Sequence, residues 1–329
     1  MLSSEFAVTT DRPQFQMTDR NADRSLRVVT YHRVEWPDEY PDLYPRLNSC
    51  DPGEFAKQLD FYQANYHIVS LHDVLSHVRG ERLLPHRALL ITFDDAYECV
   101  EKNVFPLVKS RNIPVTLFVP TAFPDCSQNV FWWDRVFYAI YKTEQRQIEL
   151  NGRSYSLNSK TDRLRAFRLA RAAIKSQSYQ EATDQIEKIC DSMGTEPCPS
   201  FVMGWSALRK LANNGIQLAP HSHTHPMLNR MTLDEAIQEV ITSKQVLTEQ
   251  IGDAVPCFAY PSGGVTAELA NGVREAGFEL AFSTARGINS MNHTDKMMLR
   301  RINVGARTSR FVLRAQLHSR FPFWALPGM

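Results

Sequence analysis

The chain has no excess of charge of either sign, no long apolar run, no CxxC pair and no internal repeat, and each absence excludes a class of protein. Among 329 residues, Lys and Arg number 37 and Asp and Glu 36, for a formal net charge of +1. There is therefore no overall electrostatic pull toward polyanions, and nucleic-acid binding gets no support. The polar, mixed-charge stretch from Met1 to Arg27 lacks both the apolar core of a secretory signal and the apolar length of a membrane span. A soluble, cytoplasmic protein with no membrane span is the expectation. The six cysteines, Cys50, Cys99, Cys126, Cys190, Cys198 and Cys257, have the spacing of neither a zinc ribbon nor a disulfide scaffold, so free thiols are expected. Cys190 and Cys198 are close in sequence, but a disulfide between them is disfavoured in that compartment. No low-complexity tract is present.

What is present suffices for a sizeable core: 43% of residues are hydrophobic and 10% aromatic, at a length that allows one large α/β domain or a domain with an inserted lobe. Leu26 to Tyr31 reads as a first strand leading into His32. Asp51-Pro-Gly-Glu54 combines a capping carboxylate, a Pro at the first helical position and a Glu three residues on, which predicts a helix carrying Phe55, Leu59 and Tyr62. A short strand at His67 to Ser70, a helix ended by Gly80, an apolar strand at Ala88 to Phe93, a helix through Val104 and Leu107, and a strand at Val115 to Val119 follow. Fully apolar strands alternating with helices predict a parallel sheet or barrel. From about Asp125 to Met203 the pattern turns helical, notably between Leu164 and Cys190. Alternation resumes with a helix at Trp205 to Asn214, a strand at Gly215 to Leu218, a Thr232-Leu-Asp-Glu235 capping box, and strands at Cys257 to Tyr260 and Leu280 to Ser283. The expected organisation is a loose tail over residues 1–25, a body over 26–124 and 204–310, an inserted helical lobe over 125–203, and an extension over 311–329.

Two segments carry chemistry. Thr92-Phe-Asp-Asp95 places adjacent carboxylates at the end of a buried strand. Side chains alternate across a strand, so both cannot face one core; one or both must lie at the C-terminal mouth, where parallel α/β folds build their active sites. Taken alone, the pair reads equally well as a cap for the next helix. His221-Ser-His-Thr-His-Pro226 holds three histidines within five residues, which favours a metal site over a solvated loop, neutral imidazole being the commonest metal ligand. Pro226 argues against a continuous helix here, and the Glu of the helical metalloprotease pattern is absent. With Asp95 the segment makes a two-nitrogen, one-oxygen site with positions open to water.

Together with Phe258-Ala-Tyr-Pro-Ser-Gly263, and with Pro226 and Leu228 behind the histidines, these segments resemble in order the motifs of the polysaccharide deacetylases with the NodB homology domain, carbohydrate esterase family 4. The resemblance covers about Leu26 to Phe282, apart from the lobe. It implies a distorted (β/α) barrel, α/β in class, a divalent metal with zinc as first choice, and hydrolysis of N-acetyl or O-acetyl groups on sugars. It further implies Asp94 as general base and Asp95, His221 and His225 as metal ligands, with His223 a neighbour. The N–H of Ser262, after Pro261, becomes a donor to the tetrahedral oxyanion, although Tyr260-Pro-Ser-Gly-Gly264 by itself reads as an ordinary turn. In such chemistry a metal acidifies its water and polarises the amide carbonyl while the base takes the proton.

Three positions depart from the family pattern. Ala259 stands where many members carry an Arg that orients the base, Ser262 where an aromatic is usual, and Ala96 where a Gly follows the Asp pair, the last mattering only if that residue needs φ > 0. Arg300 and Arg301 are the substitutes considered for the missing Arg. For the acid that protonates the leaving amine, His32 competes with His318. His32 is preferred because a strand-end histidine reaches a barrel mouth, and it resembles the circularly permuted branch, whose last motif has moved to the N-terminus. His67, His72, His77, His86 and His293 have no partner motif, and Phe131-Trp-Trp133 reads either as a sugar-stacking surface or as packing of the lobe on the body. The expected function is metal-dependent removal of N-acetyl groups from an amino-sugar glycan or its precursor. The alternatives are amide hydrolysis on another small or lipid-linked substrate, and a non-catalytic carbohydrate-binding member of the fold. The near-zero net charge favours a neutral, hydroxyl-rich substrate, and the oligomeric state is left open.

Overall fold

The strands, in chain order, are β1 (Ser25–Tyr31), β2 (Arg33–Val34), β3 (Asn48–Cys50), β4 (His67–Ile68), β5 (Ala88–Phe93), β6 (Thr116–Val119), β7 (Gln147–Leu150), β8 (Arg153–Ser156), β9 (Gln217–Pro220), β10 (Cys257–Ala259), β11 (Leu280–Phe282), β12 (Asn289–Ser290) and β13 (Ile302–Asn303). The helices are α1 (Pro52–Asn65), α2 (Leu71–Val78), α3 (Phe105–Ser110), α4 (Trp132–Lys142), α5 (Lys160–Ser176), α6 (Tyr179–Met193), α7 (Trp205–Asn213), α8 (Leu233–Ile251), α9 (Ala267–Glu275) and α10 (Arg310–Leu317). The computed structural model describes residues 24–36, 38–252 and 254–318. Residues 1–23 of the expected tail and 319–329 of the expected extension lie outside the described residues.

Local chemistry sets the helix starts. The Asp51 carboxylate accepts from the Glu54 N–H at 2.8 Å, with Pro52 opening α1. Reciprocal capping boxes open α2 (Ser70 and Asp73), α5 (Ser159 and Asp162), α6 (Ser178 and Glu181) and α8 (Thr232 and Glu235); each cap satisfies donors a helix end leaves orphaned, worth about 1 kcal/mol. The box at Ser178 divides the long helical stretch into α5 and α6. The lobe is also not wholly helical: β7 and β8 form an antiparallel hairpin. Its turn is Asn151-Gly152, at φ of 51° and 71°, the two-residue turn whose twist suits a hairpin.

β1, β5, β6 and β9 lie side by side in parallel, β4 pairs in parallel with β5, and β13 (parallel) and β12 (antiparallel) flank β1, giving a mixed seven-stranded sheet. β10 and β11 form a separate parallel pair. Among the described residues no ladder joins this pair to the larger sheet; on the β9 side a hydrogen bond from His221 Nδ1 to the Ala259 carbonyl, at 2.7 Å, spans the gap. The fold is thus α/β with mixed sheets and an inserted helix-and-hairpin lobe.

Alternation along the strands divides the core in two. Leu26 and Val28 of β1, Ala88 and Leu90 of β5, Phe118 of β6, Ala219 of β9, Cys257 and Ala259 of β10, and Leu280 and Phe282 of β11 form one buried cluster that both sheets share. Val29, Tyr31, Leu89, Ile91, Phe93, Leu117 and Leu218 belong to a second cluster with the helices and the lobe. Burying each large apolar side chain contributes about 1.5–3 kcal/mol, and the shared inner cluster holds the two sheets together where hydrogen bonds do not. The inner parity continues through Thr30 and Thr92, whose Oγ1 atoms are 2.9 Å apart, and just past the strand ends reaches His32, Asp94 and His221. No described helix is long and apolar enough to cross a membrane.

Candidate active site

Both carboxylates of the pair line one cavity, of about 200 Å³, at the C-terminal mouth of the strands. A strand continued regularly through the pair would point them to opposite faces, and the backbone explains why it does not: Asp95 and Ala96 have φ of 75° and 55°. Asp94 follows the inner parity of β5, and the left-handed step at Asp95 swings the second carboxylate to the same side. L-residues occupy that region at about 1–2 kcal/mol each, a strain typical of functional sites. Ala96 therefore does sit where Gly would be unstrained.

His221 extends the inner face of β9, and the loop after it is tied down on two sides. Thr121 and Ala122 donate backbone N–H groups to the Ser222 and His223 carbonyls, while Glu239 of α8 accepts from the N–H groups of His223 and Thr224 and from Thr224 Oγ1. Ser222, at φ 62°, accepts from the His225 N–H at 3.0 Å. His225, itself at φ 60°, is turned inward, its ring edge-on to Phe131 (5.2 Å) and Trp133 (5.1 Å) of the lobe. His223 points elsewhere, its Nδ1 3.0 Å from Thr121 Oγ1.

Asp95, His221 and His225 are all buried, and one ligand atom from each lies within 4.8 Å of the others. Asp95 Oδ1 is 3.6 Å from His221 Nε2 and 3.2 Å from His225 Nε2, yet has no hydrogen-bond partner of ordinary geometry. A buried carboxylate oxygen facing two imidazole nitrogens is what a divalent cation would satisfy. His221 is fixed in the matching tautomer, because its Nδ1 is engaged by the Ala259 carbonyl and Nε2 is left as the lone-pair donor. Burial lowers the His221 pKa to about 4, keeping the ring neutral. Burial opposes ionisation of Asp95, but contact with His225 and the fields of His32 and His221 override it and hold the carboxyl at about 2. The donor set fits a divalent metal.

Asp94 is held by Arg301, whose Nη1 and Nη2 reach Oδ1 and Oδ2 at 2.8 Å each. The guanidinium is itself anchored by Nε donating to the Ser283 carbonyl at 2.9 Å, and both side chains are buried. Burial alone would raise the Asp94 pKa; the field of Arg301 outweighs it, leaving the carboxyl below its ordinary range. Of the two arginines considered from the sequence, Arg301 is therefore the one on Asp94; Arg300 is exposed and its backbone N–H binds Asn289. His32 and Ser262 line the same cavity, next to the buried Pro261. His318 is exposed at the end of α10, beside Leu317, whose carbonyl binds Arg27 near the start of β1; it does not line the cavity.

The polysaccharide deacetylase family model matches residues 82–281. The chain belongs to the polysaccharide deacetylase family. Three solved structures share its fold: the Streptococcus pyogenes deacetylase PplD in complex with acetate (16% identity, TM-score 0.60, covering 90% of this chain and 100% of that one), IcaB from Ammonifex degensii (19%, 0.60, 90% and 97%), and a de-N-acetylase from Aggregatibacter actinomycetemcomitans (14%, 0.59, 89% and 99%). No curated protein sequence matches the chain. The family match and the buried Asp-His-His cluster identify a metal-dependent deacetylase active site.

Sequence reasoning missed what the lobe contributes to this deacetylase. Trp132, Trp133, Arg171 and Lys175 form part of the cavity wall. Of the two readings of Phe131-Trp-Trp133, packing holds for Phe131 and Trp133, which clamp His225, whereas Trp132 is half-buried on the cavity. Behind them lies a buried polar network: Trp133 Nε1 donates to Tyr97 Oη at 3.0 Å, and Tyr97 Oη donates to Asp134 Oδ2 at 2.6 Å. Burial pushes the Asp134 pKa up from 3.8 to about 6 despite the nearby Arg33. With the folded pKa raised, the stability this group contributes is complete below pH 3.8 and is lost as pH rises through about 6. Asp134→Asn removes that dependence. The stability of the unsubstituted protein relative to this variant is expected to fall by on the order of 3 kcal/mol between about pH 4 and 7. Urea denaturation of both metal-free proteins across that range measures it, and a pH-independent difference would refute the assignment.

Proposed function

We propose that the deacetylase removes N-acetyl groups from an amino-sugar-containing glycan or glycan precursor. We further propose that it follows the circularly permuted arrangement of its family, with an incompletely closed (β/α) barrel over residues 26–124 and 204–310 and an inserted lobe over 125–203. One observation carries the reading: an Arg-clamped carboxylate, Asp94, stands beside the Asp95, His221 and His225 triad in a single cavity. Two imidazoles and one carboxylate with open positions favour zinc, and a divalent ion held there would supply Lewis acidity toward a water and the acetyl carbonyl. Asp94 accepts the proton of the attacking water; Arg301 keeps it ionised and aimed, and the same clamp makes it a poor resting place for the proton. Ser262, after Pro261, supplies the backbone donor for the oxyanion, and His32 protonates the leaving amine. The Arg301 clamp replaces the guanidinium that many family members carry where this chain has Ala259, which removes the sequence-level argument for a non-catalytic member. Six free cysteines support a reducing, cytoplasmic compartment.

Loading the protein with zinc, cobalt or nickel and measuring acetate release from N-acetylated sugars tests the reading; bound metal with no release from any of them would sink it. His32→Ala is expected to lower kcat by about 10²–10⁴-fold on N-acetyl sugars, and far less on an activated aryl acetate ester, whose phenolate leaves without an acid. His318→Ala is expected to change neither. Equal losses on both leaving groups would remove His32 from the acid role.

A further inference from the structure

Arg171 and Lys175 lie one turn apart on α5 and both line the active-site cavity. Among the described residues neither has a hydrogen-bond or ion-pair partner; Arg171 only lies over the Tyr44 ring, 5.7 Å from its centroid. Among the lobe's other cations Arg135 is engaged by Glu187, Lys142 by Asp42, and Arg163 by the Ile140 and Tyr141 carbonyls, whereas the remaining six, Arg146, Arg153, Lys160, Arg165, Arg168 and Lys188, do not line the cavity. The carboxylates lining the cavity are Asp94, already clamped by Arg301, and Asp95, in the triad. Like charges at this helical spacing repel, and burial and then the neighbouring Arg171 lower the Lys175 pKa. A cation pair held at a cost and facing the reaction centre is a subsite waiting for an anion.

We propose that Arg171 and Lys175 bind an anionic group, a phosphate ester or a carboxylate, carried by the acetylated sugar, so that the lobe selects a charged substrate. This rests on the deacetylation reading. A guanidinium offers paired donors to either oxyanion and the ammonium adds a point charge. The net charge of +1 averages over the surface and conceals this local excess.

Binding is measured first, by calorimetry on the metal-free full chain, so that no metal competes for the anion. The probes are N-acetylglucosamine 1-phosphate, a disaccharide of N-acetylglucosamine and glucuronic acid, neutral N-acetylglucosamine, and inorganic phosphate. The expected result is binding of one charged sugar on the order of 10- to 100-fold tighter than its neutral counterpart, weakened by salt. That preference should be lost in Arg171→Gln/Lys175→Gln and kept in Lys175→Arg. Which charged sugar is preferred distinguishes phosphate from carboxylate. In the metal-loaded enzyme the ratio of kcat/KM for the charged over the neutral sugar should fall by a similar factor in the double variant. Equal binding of charged and neutral sugars, an unchanged preference in the double variant, or a proportional loss on both sugars would overturn the proposal. A charge preference in binding with no acetate released from any sugar would support the subsite and overturn the deacetylation reading instead.

Discussion

Asp94→Asn is expected to lower kcat by about 10²–10⁴-fold, the range a positioned general base supplies, while the metal stays bound. The substitution has a second effect, because it leaves the Arg301 guanidinium buried without its counter-charge. Breaking a buried pair from one side costs about 3–5 kcal/mol, so loss of activity alone would not separate a missing base from a loosened fold. The double variant Asp94→Asn/Arg301→Met separates them. Removing both charges should recover most of the stability, whereas activity should remain as low as in the single variant. Denaturation curves, metal content and acetate release measured on the same preparations give the answer. A double variant that regained turnover would show that Asp94 acts only as the partner of Arg301.

His221→Ala is expected to abolish both metal retention and turnover. His221 contributes one of three ligand atoms, and its imidazole also bridges β9 to the Ala259 carbonyl of β10. Loss of an outer partner of a metal ligand typically costs 10–100-fold in affinity, about 1.4–2.8 kcal/mol, and loss of the ligand itself should exceed that. The reference protein should be stabilised by added zinc according to mass action, by about 2.7 kcal/mol at a hundred times Kd; the variant should not respond over the same range. Elemental analysis and thermal unfolding with and without chelator measure both effects. Full metal occupancy in the variant would exclude His221 as a ligand.

The local features were legible from the sequence because they depend on neighbours along the chain. Capping residues, apolar runs and the alternation past β1, β5 and β9 are properties of short segments, and they bring His32, Asp94 and His221 to one mouth once the strands are taken as parallel. The hairpin at Asn151-Gly152 was legible too, but the surrounding helical composition of the lobe masked it. What alternation could not show was that Asp95 joins Asp94 in the same cavity, since that depends on a left-handed step no L-residue favours.

The sequence by itself determined the main strands and helices of the body, the family motifs and the ligand types, because each is written in residues close together in the chain. Only the tertiary structure decided what orients Asp94, since Arg301 lies 207 positions away and either neighbouring arginine satisfied the sequence. It alone turned Phe131 and Trp133 onto His225 and set two unpaired cations of α5 in the cavity wall. These are matters of which side chains meet across the fold, and neither spacing nor composition encodes such meetings.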